Sequence, residues 1–324
     1  MADFHKIPQA IQWHEGMLLA PHHFQQSSLR SEELLSYHIA STVPFYWGIR
    51  RLKIDQALLV GGVIRVLDLE AVMPDGLIAV HEHEQEGPLE IDISGCIEET
   101  RLVPLTVHLA VPESSLSGFK GALPRYKSVE GNNIYDSNTG EGELQIPRLK
   151  PSLTLLNTEN PPKKYSSFPL AKVVYKEEAF LLTNFVPPTL SVPINSPLGE
   201  MGSQVAKRIR EKAAYLVDQT SSPAMTSGSP LLQETKAMVH SLVSALPQFE
   251  ATLNTGLVHP FVLFQALCRL VGQLAYLGNG LVPVLDSYNH NDLRKNFEQC
   301  REYIIRMVEE GVSETYSTIP FKQQ

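Results

Sequence analysis

Two imidazoles bracket a carboxylate in His81-Glu82-His83-Glu84. On a strand, residues two apart share a face, so both rings point the same way and could hold a metal ion if a third ligand approached. The sequence supplies no such ligand at a telling spacing, and His-x-His lacks the helical Glu-x-x-His geometry of zinc enzymes. Asp136-Ser137-Asn138-Thr139-Gly140 imitates the start of a calcium loop, but Pro147 stands at its twelfth position, where a bidentate glutamate belongs. His14 and Glu15, with Ser27 or Ser28 as a nucleophile, would make a hydrolytic set. Adjacent residues on an extended segment point apart, however, and no glycine string offers an oxyanion hole. The expectation is therefore a chain with no catalytic residue, no cofactor and no metal, whose work is binding.

The elements around these residues say more. In Trp13-His14-Glu15-Gly16-Met17-Leu18-Leu19-Ala20-Pro21-His22-His23-Phe24-Gln25-Gln26, Pro21 suits the first turn of a helix and pushes Ala20 out of the helical region. A helix is predicted to start near His22 and run to residue 41, ended by Val43-Pro44. Trp13, Met17, Leu18, Leu19 and Phe24 either pack into a core, strap the sandwich to the bundle, or border a protein interface, where buried aromatic anchors dominate binding energy.

This stretch resembles the N-terminal signature of the TssK family, the baseplate subunits of bacterial type VI secretion systems. It departs at His22, where the family tends to have Gln. His259-Pro260-Phe261-Val262-Leu263-Phe264-Gln265-Ala266-Leu267 fits the same family, as does Tyr288-Asn289-His290-Asn291-Asp292-Leu293 leading to Phe297. The likeness thus spans residues 13 to 297.

With 324 residues and 36.1 kDa, the chain exceeds what one core usually serves, so two domains are expected. A net charge of -8 argues against nucleic acid, whose phosphates call for a basic footprint. Cys96, Cys268 and Cys300 are odd in number and widely separated, poor material for a disulfide framework or a zinc site. The first residues lack a signal-peptide core, and Phe261 to Leu285 is interrupted by Gln265, Arg269 and Gln273, so neither secretion by a leader nor membrane insertion is expected.

From Trp47 to about residue 182, short apolar runs alternate with turn signals such as Gly61-Gly62 and Pro74-Asp75-Gly76. Leu105, Val107, Leu109 and Val111 alternate with Thr106, His108 and Ala110, as in a strand with one face in the core and the other in solvent. A flexible acidic loop is expected around Asp136 to Glu143. Beyond the proline-rich run at 185–197 the period becomes helical, with helices predicted at 199–218, 230–255, 260–277 and 291–312. Leu263, Leu267, Leu270, Leu274 and Leu277 form a seam, as do Leu293, Phe297, Cys300, Ile304 and Met307. Pro247 is expected to kink the second helix.

The predicted architecture is α+β and multidomain: an antiparallel β-sandwich at 1–190, a four-helix bundle at 191–316, and the start of a linker at 317–324. Its seam residues, Leu263, Leu267, Leu270, Leu274, Leu277, Leu293, Phe297 and Ile304, are candidates for the core of the bundle or of a trimer. The resemblance implies that the sandwich is related to the shoulder of phage receptor-binding proteins and the bundle is a neck. It further implies a homotrimer, baseplate partners TssF and TssG bound through the shoulder, and a cytoplasmic protein assembled at the inner membrane. A C-terminal head, expected to be missing from this chain, docks on the membrane complex of TssL and TssM in the family, so those contacts are expected only where a head is present. The competing expectation is a carbohydrate- or receptor-binding module of a phage-tail-like particle.

Overall fold

The computed structural model describes residues 7–113, 123–220, 230–277 and 280–310. Two compact units divide at Pro188 and Thr189, inside the proline-rich run. The expected linker at 317–324 lies outside the described residues.

The first unit opens on helix α1 (Pro21–Thr42), then β1 (Gly48–Ile54), the short α2 (Gln56–Val60), β2 (Val63–Val72), β3 (Ile78–Glu82), the helical turn α3 (His83–Glu86), β4 (Leu89–Asp92), α4 (Ile97–Leu102) and β5 (Leu105–Pro112). β6 (Tyr126–Val129), β7 (Asn133–Ile134), β8 (Leu144–Gln145) and β9 (Arg148–Pro151) make two small nested hairpins. β10 (Thr154–Leu156), β11 (Tyr165–Lys176) and β12 (Ala179–Leu182) complete the unit.

All described strand pairings are antiparallel. One four-stranded sheet runs β1-β2-β3, with β4 paired to β2; the other runs β10-β5-β11-β12. Ile64, Val66, Leu69, Ala71 and Met73 from β2 and its end join Val107, Leu109, Val111, Phe168 and Leu170 of the second sheet in one hydrophobic cluster. The alternation along β2 slips by one residue at Leu67, where the pairing with β1 shifts register, and this bulge returns both halves of the strand to the core side. A second irregularity falls at Pro169 in β11, which suits a residue that cannot donate to the ladder.

β5 departs from expectation. Val107 through Val111 are all buried, so this strand is not half solvated. It is an inner strand between β10 and β11, and buried His108 lies on the face that alternation alone assigns to water. Its ring bonds the Thr158 backbone, while Nδ1 has no hydrogen-bond partner. Loss of solvent pushes the imidazole below its ordinary range, only partly offset by that bond.

The second unit contains α5 (Pro197–Thr220), α6 (Pro230–Val243), α7 (Leu246–Leu253), α8 (Pro260–Leu274) with a 3-10 turn at Ala275–Leu277, and α9 (Leu293–Glu309). The predicted helix at 230–255 is two helices. It breaks at Ser244 and Ala245, and Pro247 sits in the first turn of α7, where a missing N–H leaves no bond unmade. α8 packs on α9, α7 and α6, while α5 packs on α6, α9 and α7. Leu263, Leu267, Leu270, Leu274, Leu277, Leu293, Phe297 and Ile304 are all buried, none more than 6% exposed. Pro260–Leu277 has the length and hydropathy of a membrane span, yet its leucine face is covered by these neighbours.

Leu270→Asp places a carboxylate in this dry seam and should lower unfolding free energy by about 3 kcal/mol or more. Val262→Asp, on the exposed side of the same helix, should stay within about 0.5 kcal/mol in the same urea titration by circular dichroism. His108 yields a pH dependence. Because its folded pKa is depressed, the unfolded chain binds the proton more readily, so stability is intact above about 6.5 and declines as pH falls below it. His108→Gln cannot titrate and should make the acid-side decline in melting temperature shallower.

Candidate interaction surface

The first signature stretch folds as a turn, a strap and a helix start. His14, Glu15, Gly16 and Met17 make a turn closed by Met17 N–H donating to His14 O at 3.3 Å. Gly16 takes φ +80°, the left-handed position that a type II turn requires and glycine adopts without strain. Residues 18–20 then run extended to Ala20, whose N–H donates to His23 Nδ1 at 3.0 Å in the first turn of α1. Helix entry is thus at Pro21, one residue before the expected start.

The strap doubles back along α1. Trp13 lies against His23 with ring centroids 6.0 Å apart, and the Arg30 guanidinium donates to the Pro8 carbonyl. At the other end Ser36 packs on Gly76 in the β2–β3 turn. A Cβ on Gly76, which itself has φ +87°, would stand 2.4 Å from Ser36 Oγ. Tyr46, just after the helix, donates its hydroxyl to Pro74 O of the same turn, and burial, then Asp75 and Glu33, hold that phenol above its ordinary range.

Several large apolar side chains remain outward, among polar ones such as Ser31 and His38. Trp13 is 52% exposed, Leu18 88%, Leu19 56% and Phe24 57%, with Met17 half-buried. Farther along α1, Leu35 and Ile39 are also exposed. At 100° per residue these two fall within about 60° of Phe24, so they share one side of the helix, while Glu33, Ser36 and Tyr37 lie on the other. No residue of this 22-residue helix is buried. The strap candidates therefore lie outside the core of the first unit.

The chemistry-bearing sets do not converge. His14 Nδ1 bonds the Glu15 carbonyl, and among the described residues no hydrogen bond joins Ser27 or Ser28 to either residue. The two histidines of His81-Glu82-His83 do not share a strand face, because β3 ends at Glu82 and His83 begins α3. His81 is buried with Nδ1 3.6 Å from a Glu86 carboxylate that also binds Lys150, while His83 sits 3.3 Å from the Gly87 carbonyl. Among the described residues no group of three histidine, cysteine, aspartate or glutamate side chains is placed to hold a metal. The acidic loop at 136–143 is a built hairpin tip. Asp136 accepts from the backbone N–H groups of Thr139 and Asn138, and these bonds hold its carboxyl below the usual range.

The other two signature stretches meet inside the second unit. His259 caps α8, its Nδ1 accepting from Phe261 N–H at 3.2 Å, and its ring stacks on buried His290 at 5.4 Å. Tyr288 packs between Phe261 and Phe264 and lies 3.0 Å from His290 Nδ1 through its hydroxyl; burial pushes that phenol up. Asn296 of α9, also buried, accepts from Asn289 N–H at 3.0 Å and donates to Ser287 O at 3.2 Å. One side chain thus ties the run before α9 to the helix itself.

Residues 23–324 match the family described as Bacterial Type VI secretion, VC_A0110, EvfL, ImpJ, VasE. The chain belongs to this family. It is 22% identical over 300 residues to the type VI secretion system baseplate component TssK1 of Pseudomonas aeruginosa, a match that takes in 89% of this chain and 66% of the relative, so the chain spans just under two thirds of that protein's length. A crystal structure of TssK superposes with a TM-score of 0.82 at 20% identity, over 94% of this chain and 70% of that one. TssK in the cryo-electron microscopy structure of a TssK-TssF-TssG baseplate subcomplex gives 0.77 at 20%, over 93% and 99%. TssK from the type VI secretion system of EAEC, solved in complex with a nanobody, gives 0.70 at 19%, over 89% and 100%. These TssK-family structures share the fold of antiparallel sheets followed by helices.

Asn296→Ala should lower the stability of this family member by roughly 1–3 kcal/mol in chemical unfolding, because it leaves the Asn289 N–H and the Ser287 carbonyl without their partner.

Proposed function

We propose that this chain is a structural adaptor of a type VI secretion baseplate and works by binding rather than turnover. In this reading the first unit is a β-sandwich shoulder, the second a four-helix-bundle neck, and three chains associate. The shoulder binds the baseplate proteins TssF and TssG, named with TssK in the subcomplex that this chain resembles. Assembly takes place in the cytoplasm at the inner membrane, and attachment to TssL and TssM is the task of a C-terminal head.

The observation that carries the reading is the exposed apolar surface of the strap and α1. A helix with no fully buried residue, beside a leucine 88% exposed, fits a surface that another protein covers. The seam leucines support it by exclusion. Their burial within the chain supports the bundle-core reading of these residues. The receptor-binding alternative gains nothing here, since Trp13 and Phe24 lie on the strap and α1 rather than on a strand face.

Light scattering of the purified chain should give about three times 36.1 kDa, and immobilised TssF–TssG should retain it. Leu18→Asp should leave the melting temperature unchanged while weakening retention at least tenfold, equivalent to about 1.4 kcal/mol. A monomer, or equal retention of the variant, overturns the assignment.

A further inference from the structure

A cavity of about 390 Å³ lies within the first unit, between the corner formed by β3, α3 and β4 and the hairpin of β6 and β9. That volume stands at the small end of the range for small-molecule sites. Lys127 and Lys150 line it from directly opposite positions on β6 and β9, and like charges so placed repel each other. Glu86 of α3 answers only one of them, its carboxylate 2.9 Å from Lys150 Nζ. Lys127 and Glu130, which line the cavity where it meets solvent, have no hydrogen bond or ion pair among the described residues.

His81 supplies the buried end. It is 4% exposed and lines the same cavity, with Nδ1 3.6 Å from the Glu86 carboxylate and Nε2 without a hydrogen-bond partner among the described residues. A carboxylate beside Nδ1 keeps the proton of the neutral ring on that nitrogen, so Nε2 is left as an acceptor. Buried polar atoms are normally paired, and this one meets no donor of its own chain. Gln85, at the same corner, is committed to Glu82. Leu89, Val129 and Leu153 add apolar wall.

We propose that this cavity binds a small aliphatic zwitterion of the α-amino-acid class. Its uncommitted groups are one ammonium, one carboxylate and one buried acceptor. The ligand carboxylate pairs with Lys127 and relieves the opposition of that lysine to Lys150. The ligand ammonium brings three donors for Glu130 and His81 Nε2, and its side chain lies against the apolar wall. A simple anion would leave Glu130 facing a like charge, and a simple cation would do the same to Lys127. Because the lining comes from both the corner and the hairpin, a bound ligand ties the two together beside the existing Lys150–Glu86 pair. None of these residues belongs to the strap or to α1, so the site stands apart from the baseplate reading.

The test is calorimetric titration of the purified chain with L-leucine, with 4-methylpentanoate, which lacks the ammonium, and with 3-methylbutylamine, which lacks the carboxylate. The expected result is saturable binding of one leucine per chain, with either analogue weaker by about tenfold or more. Lys127→Gln and Glu130→Gln, both at exposed positions, should keep the wild-type melting temperature, and each should weaken leucine binding by about tenfold or more. Absence of saturable leucine binding, an analogue that binds as tightly as leucine, or unchanged leucine binding in either variant would overturn the proposal.

Discussion

An apolar side chain can be withdrawn from water only once, and this chain allocates that burial differently in its two units. In the helical unit every seam leucine of α8 is covered by neighbours from the same chain, which leaves only the side that carries Val262 open. In the strand unit the two sheets close on each other through Leu69, Leu109 and Phe168, while the strap and α1 stay outside. α1, a 22-residue helix with nothing fully buried, relies on a side that is only partly covered, where Leu29, Leu34 and Tyr37 are half-buried. Contacts at Arg30, Ser36 and the residues just after the helix help to hold α1. Phe24, Leu35 and Ile39 stay exposed on its other side.

The three signature strings that tie the chain to its family do unlike things. The first makes a glycine-dependent turn and starts a helix, leaving its large side chains exposed. The second and third close on each other as an inner clasp, where His259, His290, Tyr288 and Asn296 fix the run between α8 and α9. A family resemblance carried by such strings reports on shape in one place and on contact in another. Likeness alone does not say which.

Where local periodicity governs, the sequence was legible. The helix behind Pro21, the change from strand to helix after the proline run, and the leucine seam all follow from patterns within a few residues. Where neighbours govern, it was not. β5 reads as half solvated because nothing local announces that it lies between two strands with its polar side covered at His108. The helical turn at His83 separates two histidines that a continuous strand would have aligned. Glu177 and Glu178 both take left-handed φ in the β11–β12 hairpin, a position where residue preference favours Asn and Gly. Pro247 was visible as a fault, but whether it bends a helix or divides it was settled by the packing of Leu246, Phe249 and Leu253.

The closeness of Ser36 to Gly76 has a mechanical side. From Ser36 back to Pro21 the helix extends roughly 22 Å at 1.5 Å per residue, so it acts as a lever pivoting near a single hydrogen atom. A tilt of about 5° at that pivot, less than a methyl group would impose, sweeps the far end through about 2 Å by the same geometry. The exposed ring of Phe24 rides toward that far end, so its aim is tied to the absence of one carbon atom a little over three helical turns away.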